Sequence, residues 1–259
     1  MITKFVKLRN AESNLIFDKR ITSLNYRKYC KPMTRSFLVT MLSLLLANAY
    51  AQRITQIKLG SSNSTVISFL VDESVLVNIT KDGKIIDWGI EYNTLQTSTY
   101  PGKLQKYMGR EEYYPSTVDS AYRGKIKYIG RTPVTYYTSD ENEMFKGKVK
   151  TIGSNLFDYY TTYDNAAYKG NIKHAGPVLF TWYGSFDDET YRGKLKTVGS
   201  TTLAYYGLMD DKAYRGKLKS IDRIVITYYS SFDRPGYGGA IKSGSPVLYN
   251  QGIKYFIQN

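Results

Sequence analysis

A glycine recurs at an almost constant interval between residues 102 and 239. The seven marker glycines are separated by 22 residues once and by 23 residues five times: Gly102, Gly124, Gly147, Gly170, Gly193, Gly216 and Gly239. A fixed period of this size indicates one supersecondary unit copied in tandem, in which each copy needs its neighbours to bury its apolar face. The repeat therefore constrains the architecture before any other feature is considered.

Each repeat contains two short runs of β-type residues. The first run follows the marker glycine and has the pattern Lys-aliphatic-Lys-x-aliphatic-Gly. The second run ends in a pair of aromatic residues and is followed by an acidic loop, as in residues 191–211 (YRGKLKTVGSTTLAYYGLMDD). Val, Ile, Thr and Tyr suit a pleated surface, and no apolar residues recur at helical spacing. We therefore predict one β-hairpin per repeat.

The hairpins are predicted to lie side by side in one extended, coiled antiparallel sheet of an all-β protein. The second glycine and the acidic loop supply two chain reversals per repeat, as this arrangement requires. A β-solenoid with one coil per repeat is the alternative, whereas a propeller blade would need four strands. In the first strand, Lys194 and Lys196 share a face with Val198 while Leu195 faces away. This alternation predicts a β-bulge near the second glycine.

The regions around the array are expected to cap it. Residues 52–99 are interpreted as capping strands and a degenerate repeat, and residues 100–259 as seven tandem hairpin repeats with a C-terminal cap. Terminal repeats usually depart from the common pattern because one of their faces has no neighbouring repeat. No Pro-, Ser- or Gly-rich linker divides residues 52–259, so one domain is expected there.

Residues 1–51 are interpreted as a leader and signal peptide. Arg35 precedes an apolar stretch over residues 37–47, and a small-x-small pattern ends at Ala51. This arrangement is typical of a secretory signal peptide. Translation is predicted to start at Met33 and cleavage to follow Ala51, so the protein is expected to be exported to the periplasm, the cell surface or the medium. An integral membrane segment is not expected in the mature chain.

Charge and cysteine content restrict the partners of the mature chain. Residues 1–51 carry nine Lys and Arg and two Asp and Glu; their removal leaves 27 basic and 20 acidic residues and lowers the formal charge from +14 to +7. Half of the basic excess thus belongs to the leader, and we expect no nucleic-acid partner. The single cysteine, Cys30, also lies in the leader. Neither a disulfide nor a thiolate metal site is expected in the mature chain.

The repeat resembles the YD repeats of Rhs-type proteins. The resemblance is carried by residues 216–221 (GKLKSI), residues 226–229 (ITYY) and Asp233, and it extends over residues 100–250. The Tyr-x-Gly-x-aliphatic start of each repeat is also similar to a MORN repeat, although the later glycines of that pattern are missing. Either resemblance implies a sheet of hairpins that acts as a shell, spacer or binding surface without catalytic residues of its own.

Catalytic chemistry has little support in the sequence. His174 is the only histidine and replaces Thr, Ser or Tyr at one repeat position, so it is interpreted as a strand-face substitution. Asp187 and Asp210 recur at one place in adjacent repeats. We interpret these aspartates as turn residues, because the acid and base of a glycosidase need different environments. No cofactor and no metal ion are expected, and a glycosidase is the third hypothesis.

Two sets of side chains recur in register and are the candidate binding residues. The lysine column consists of Lys127, Lys150, Lys173, Lys196, Lys219 and Lys242. The tyrosine column consists of Tyr137, Tyr160, Tyr183, Tyr206 and Tyr229. Equivalent residues of a hairpin array recur on every second strand, about 9.6 Å apart if strands are spaced by ~4.8 Å. Such columns would suit a repeating polymer, whereas a purely structural role would be solubility for the lysines and cross-strand packing for the tyrosines.

These observations lead to two non-enzymatic hypotheses, which rank ahead of the glycosidase. The first is a secreted, non-enzymatic binding or adhesion module whose partner is a polymeric glycan or another envelope component. The alternative is a structural spacer or shell component that contacts another protein through its sheet. Salt sensitivity of glycan binding would point to the lysine column, and salt insensitivity would point to the tyrosine column.

Overall fold

The computed structural model describes residues 53–60, 63–72, 74–92 and 102–258. These residues belong to one compact unit, Ala51–Asn259. The predicted signal peptide, the start at Met33 and Cys30 lie outside the described residues.

Four strands precede the repeats and two follow them. The four N-terminal strands are β1 (Arg53–Gly60), β2 (Thr65–Val71), β3 (Val75–Thr80) and β4 (Ile85–Glu91). Each of these strands pairs antiparallel with the next. The repeats provide fourteen strands: β5 (Leu104–Lys106), β6 (Glu111–Tyr113), β7 (Ile126–Ile129), β8 (Thr132–Tyr136), β9 (Val149–Ile152), β10 (Asn155–Tyr159), β11 (Ile172–Ala175), β12 (Val178–Trp182), β13 (Leu195–Val198), β14 (Thr201–Tyr205), β15 (Leu218–Ile221), β16 (Ile224–Val225), β17 (Thr227–Tyr228) and β18 (Ile241–Ser243). The chain ends with β19 (Val247–Asn250) and β20 (Ile253–Gln258).

The strands confirm the predicted all-β architecture of antiparallel hairpins. Strands β6 to β16 form an eleven-stranded sheet in sequence order, and β17 pairs with β18. A seven-stranded sheet has the order β19-β20-β1-β2-β3-β4-β5. Within the described residues, only β1 and β20 pair in parallel, so the coils of a β-solenoid are not formed. The ends of the array join the seven-stranded sheet, because β5 of the first repeat pairs with β4, and β19, which follows the last repeat strand, pairs with β20.

The interior hairpins from β7–β8 to β13–β14 turn at the second glycine, the β15–β16 hairpin turns at Asp222 (φ 48°) instead, and each has the predicted bulge. In the hairpin of β13 and β14, Gly199 has a φ of 56° and begins a two-residue turn. A positive φ at this position alone is the pattern of a type II′ turn. On the other side of β13, Leu195 pairs with Trp182 and Thr197 pairs with Thr181, so Lys196 is the extra residue of a bulge. The bulge brings Leu195 and the next apolar residue of the strand to the same buried face.

From Gly147 onward, the marker glycines are required by both conformation and space. Gly216 has a φ of 71°, and a Cβ atom there would lie 2.6 Å from the carbonyl oxygen of Thr190 in the preceding repeat. Its amide donates to the carbonyl of Tyr206 at 2.8 Å, which closes the acidic loop. A side chain would therefore be strained and would also separate adjacent repeats.

The core lies between the two large sheets. Buried side chains of the N-terminal sheet and of the repeats form one apolar cluster. Phe69 on β2 meets Phe157 on β10 edge to face, with ring centroids 5.0 Å apart. The turn between β3 and β4 also reaches the repeats, since the carbonyls of Lys81 and Gly83 accept hydrogen bonds from the amides of Ile172 and Val149. The N-terminal strands thus cover one face of the array.

Candidate functional site

The lysine column follows the line of β-bulges. In all six repeats the lysine is the residue left without a partner in the ladder between adjacent hairpins. Two of the six form ion pairs: Lys150 lies 2.5 Å from Glu141 and Lys242 lies 3.3 Å from Asp233. Lys196 and Lys219 are exposed. A bulge re-aims its side chain, and here it does so at the same place in six repeats.

Each lysine of the column lies over a tyrosine of the preceding repeat. The ammonium nitrogen is between 5.1 and 5.9 Å from the ring centroid in the six pairs, which are Lys127–Tyr114, Lys150–Tyr137, Lys173–Tyr160, Lys196–Tyr183, Lys219–Tyr206 and Lys242–Tyr229. These distances fall within the range of a cation–π interaction. The sequence predicted the two columns separately, and the structure brings them together, with Tyr114 extending the tyrosine column at its N-terminal end.

The tyrosine hydroxyls connect one repeat to the next. The hydroxyl of Tyr183 donates to the carbonyl oxygen of Leu203 at 2.8 Å. Four other hydroxyls donate in the same way to a residue twenty positions later; they belong to Tyr114, Tyr137, Tyr160 and Tyr206. Burial raises the pKa of Tyr137 to about 12 and also raises the pKa of the Tyr183 hydroxyl. These phenols are therefore neutral donors at physiological pH.

The tyrosine rings also pack within their own loops. Tyr183 meets Tyr191, the aromatic residue two positions before the marker glycine, at a centroid distance of 4.7 Å. Tyr206 and Tyr214 repeat this edge-to-face contact at 4.7 Å. A column ring thus has an aromatic neighbour as well as a lysine, and the column members are only partly exposed. Little ring surface is left for stacking against a ligand.

A second set of lysines, the inner lysines, has a structural role. They directly follow the marker glycine, and each donates from its ammonium group to the next marker glycine's carbonyl oxygen: Lys125, Lys148, Lys194 and Lys217. Each also lies over the first aromatic ring of a Tyr-Tyr pair. Burial lowers the pKa of Lys148 to about 8, and the nearby Lys84 contributes in the same direction. The sequence pattern did not distinguish these lysines from the lysine column.

The aspartates of the acidic loops accept backbone hydrogen bonds, as expected for turn residues. Asp187 accepts from the amide of Gly184 at 2.5 Å. Asp188 accepts from the amide of Thr190 within its loop and from the amide of Leu208 in the next repeat. These hydrogen bonds lower the pKa of Asp188. The carboxylates thus hold the loop backbone through hydrogen bonds, and they occupy equivalent environments from one repeat to the next.

The remaining candidate residue is the single histidine of the chain. His174 lies on β11, and its Nδ1 atom is 3.7 Å from a carboxylate oxygen of Asp158. This position agrees with the predicted substitution on a strand face. Across the described ranges, no group of three or more His, Cys, Asp and Glu side chains is close enough to hold a metal ion.

Two surface features were missed by the sequence reasoning. Four large side chains at equivalent positions of adjacent acidic loops are almost fully exposed: Tyr163, Phe186, Met209 and Phe232. Their 23-residue spacing was a visible signal, although an apolar residue in a loop carries no prediction of exposure. The second feature is a cleft of about 620 Å³ between the β3–β4 turn and the first repeats. Its walls come from distant parts of the sequence, so no local pattern indicates it.

Comparisons with known proteins add no family to these observations. Protein-family models, curated proteins and solved structures give no match to this chain. In the part of the chain that the structure describes, no helix has the length and apolar character needed to cross a membrane.

Proposed function

We propose that this protein is an exported, non-enzymatic repeat protein that binds an acidic polymeric glycan along the lysine column. The observation that carries this proposal is the lysine at the β-bulge of six successive repeats, each over a tyrosine ring. A column of positive charge with a fixed pitch of about 9.6 Å suits a polymer that carries negative charge at regular intervals. The tyrosine column would act mainly by holding the lysines in place.

Four members of the lysine column have no carboxylate within ion-pair distance in the described residues: Lys127, Lys173, Lys196 and Lys219. Lysines that served only solubility could form ion pairs with the acidic loops without any loss of that role. Three of the four belong to successive repeats, so a polymer chain would meet an uninterrupted run of charge. This arrangement supports charge-based binding more than stacking on the half-buried tyrosines.

The second candidate function is a structural spacer that contacts another protein through its sheet. The five tyrosine hydroxyls that donate across repeats favour it, because a column built for ligand stacking would leave rings and hydroxyls open. In that case the regular side-chain contacts serve to make the array stiff. The resemblance to YD and MORN repeats is compatible with both candidates.

Retention of the protein on insoluble acidic and neutral glycans at two salt concentrations tests the proposal. The triple variant Lys173→Gln, Lys196→Gln and Lys219→Gln should weaken retention on the acidic glycan roughly five- to tenfold, since each exposed charge contributes about 0.3 to 0.5 kcal/mol. Higher salt should weaken retention of the unmodified protein in the same way.

A second periodic set of exposed cations supplies the matched control. The variant Lys169→Gln, Arg192→Gln and Arg215→Gln removes the same charge from the residues that precede three successive marker glycines. It should retain near-normal binding. If both triple variants lost retention equally, net charge alone would explain the binding, and the column proposal would be wrong. If the unmodified protein were retained on no glycan, the spacer function would be favoured.

A further inference from the structure

The cleft beside the β3–β4 turn collects basic side chains from two regions of the chain. Lys84 follows the turn, Lys125 and Lys148 are inner lysines, and Lys146 precedes a marker glycine. One carboxylate, Asp82, also lines the cleft and lies 3.0 Å from the Lys84 ammonium. Four lysines thus face one aspartate, and the cleft has an excess of positive charge.

The inner lysines of the cleft retain donors for a ligand. Lys125 donates to the carbonyl oxygen of Gly147, and Lys148 donates to that of Gly170 at 2.5 Å. An ammonium group has three N–H donors, so each of these carbonyl contacts leaves two. Neither lysine forms an ion pair within the described residues. In the described part of the chain, Asp82 is the one carboxylate that lines the cleft, so an added anion would stabilise these two partly buried cations further.

Apolar and aromatic side chains complete the cleft. Trp88 on β4 and Tyr113 on β6 line it from two different sheets, and the largely buried Tyr136 and Ile126 contribute from β8 and β7. Tyr113 is 50% exposed, so its ring remains accessible. A volume of about 620 Å³ with apolar walls and a few convergent polar groups is typical of a site for a small molecule.

An equivalent surface elsewhere on the array is covered. Lys217 is also an inner lysine, and it lies beside Leu59 of β1 and Ile257 of β20. The space left there is only about 20 Å³. The two places carry the same repeat pattern, but β1 and β20 fill the space beside Lys217, whereas beside Lys125 and Lys148 the space is open. The cleft is therefore a local departure from the repeat symmetry.

We infer that this cleft binds a small organic anion carried on a ring, with the anionic group at Lys84, Lys125 and Lys148 and the ring against Trp88. A uronic acid and a sugar phosphate share this chemistry. The charged group gains charge-assisted hydrogen bonds from the lysines, and the ring covers apolar surface that is otherwise exposed to water. This site is independent of the lysine column, which uses none of these residues.

Calorimetric titration of the full chain with glucuronic acid, glucose 6-phosphate and glucose tests the inference. At least one of the two anions should bind about tenfold or more tightly than neutral glucose, since a hydrogen bond to a charged group contributes about 1.5 kcal/mol or more. Preference between the two anions identifies a carboxylate or a phosphate as the natural group. Equal binding of all three compounds, or binding of none, would overturn the inference.

Matched variants then locate the site. Lys148→Met should weaken anion binding about tenfold, whereas Lys217→Met removes the equivalent inner lysine outside the cleft and should leave binding unchanged. Lys84 is 73% exposed in its side chain, so Lys84→Gln tests the cleft without disturbing the core. Its control is Lys212→Gln at another exposed position. Similar losses in the cleft variants and the control variants would contradict the assignment, whatever the outcome for glycan retention.

Discussion

The interior of the repeat array and its two ends share one sequence pattern but have different neighbours. Gly124 and Gly216 have nearly the same φ, 72° and 71°. A Cβ atom at Gly216 would meet the preceding repeat, whereas one at Gly124 would have no atom of the described residues within 4 Å, its chain neighbours aside. The same pattern thus imposes the same local conformation at both places, while the contacts that stabilise the fold depend on the next repeat.

Replacing the two glycines should separate these effects most clearly. Gly124→Ala adds only the strain of a left-handed conformation, about 1 kcal/mol. Gly216→Ala adds the same strain and also forces adjacent repeats apart, so its cost should reach about 3 kcal/mol. Urea unfolding of the two variants measures the difference. Equal losses of stability would mean that the close approach of repeats contributes nothing.

The tyrosine column also differs between the interior of the array and its end, and the expected change in stability is smaller. Tyr183→Phe removes an interior hydrogen bond and leaves the Leu203 carbonyl without its donor, so it should reduce the free energy of unfolding by about 1 to 2 kcal/mol. Tyr229 ends the column, and within the described residues its hydroxyl forms no hydrogen bond. Tyr229→Phe should therefore change stability by less than about 0.5 kcal/mol. A comparable loss of stability at both positions would show that the inter-repeat hydrogen bond does not cause the loss in Tyr183→Phe.

Acid should weaken the links between loops over a defined pH window. Hydrogen bonds from backbone amides and from Ser139 lower the pKa of Asp119 to about 2, from an ordinary value of 3.8. The folded state then binds fewer protons than the unfolded state, so this stability is present above about pH 4 and is lost as the pH falls towards about 2. Hydrogen bonds also lower the pKa of Asp188. Urea midpoints measured from pH 6 to pH 2 should follow this decline.

Two repeats differ by Asn and Asp at one loop position, and this difference allows a more specific test of the acid sensitivity. Asn165 occupies the position equivalent to Asp188, and its amide oxygen accepts from the amides of Ala167 and Ser185. Asp188→Asn should therefore keep these contacts at neutral pH and make the pH dependence shallower. Asp140→Asn, in the exposed part of another loop, is the control. An unchanged pH profile in Asp188→Asn would exclude this carboxylate as a source of acid sensitivity.

Much of the fold was predictable because the decisive signals are local. A glycine before the hairpin turn, aromatic and β-branched runs, and acidic loop residues each specify a backbone conformation over a few positions. The bulge was predicted from the broken alternation around Leu195, and the structure assigns the extra residue to Lys196. The lysine and tyrosine columns were also visible, because strict periodicity places equivalent residues in register.

The roles of those columns were not predictable from spacing. Tyr183 finds its acceptor twenty residues later and its lysine thirteen residues later, so both partners depend on how hairpins pair. Lys194 and Lys196 are two positions apart and chemically identical, yet one is buried against the next repeat and the other is exposed. The bulge between strands creates this difference, and its consequence for each side chain requires the three-dimensional register.

Local sequence signals indicated the repeat length, the hairpin, the turn positions and the in-register columns, because these follow from backbone preferences within one repeat. Three-dimensional contacts were needed to show which sheet receives the strands at the two ends of the array, which lysines are structural, and where the array remains uncovered. Those outcomes depend on contacts between residues that are distant in the chain. The cleft at Lys125 and Lys148 exists because the β3–β4 turn reaches that part of the array without filling it.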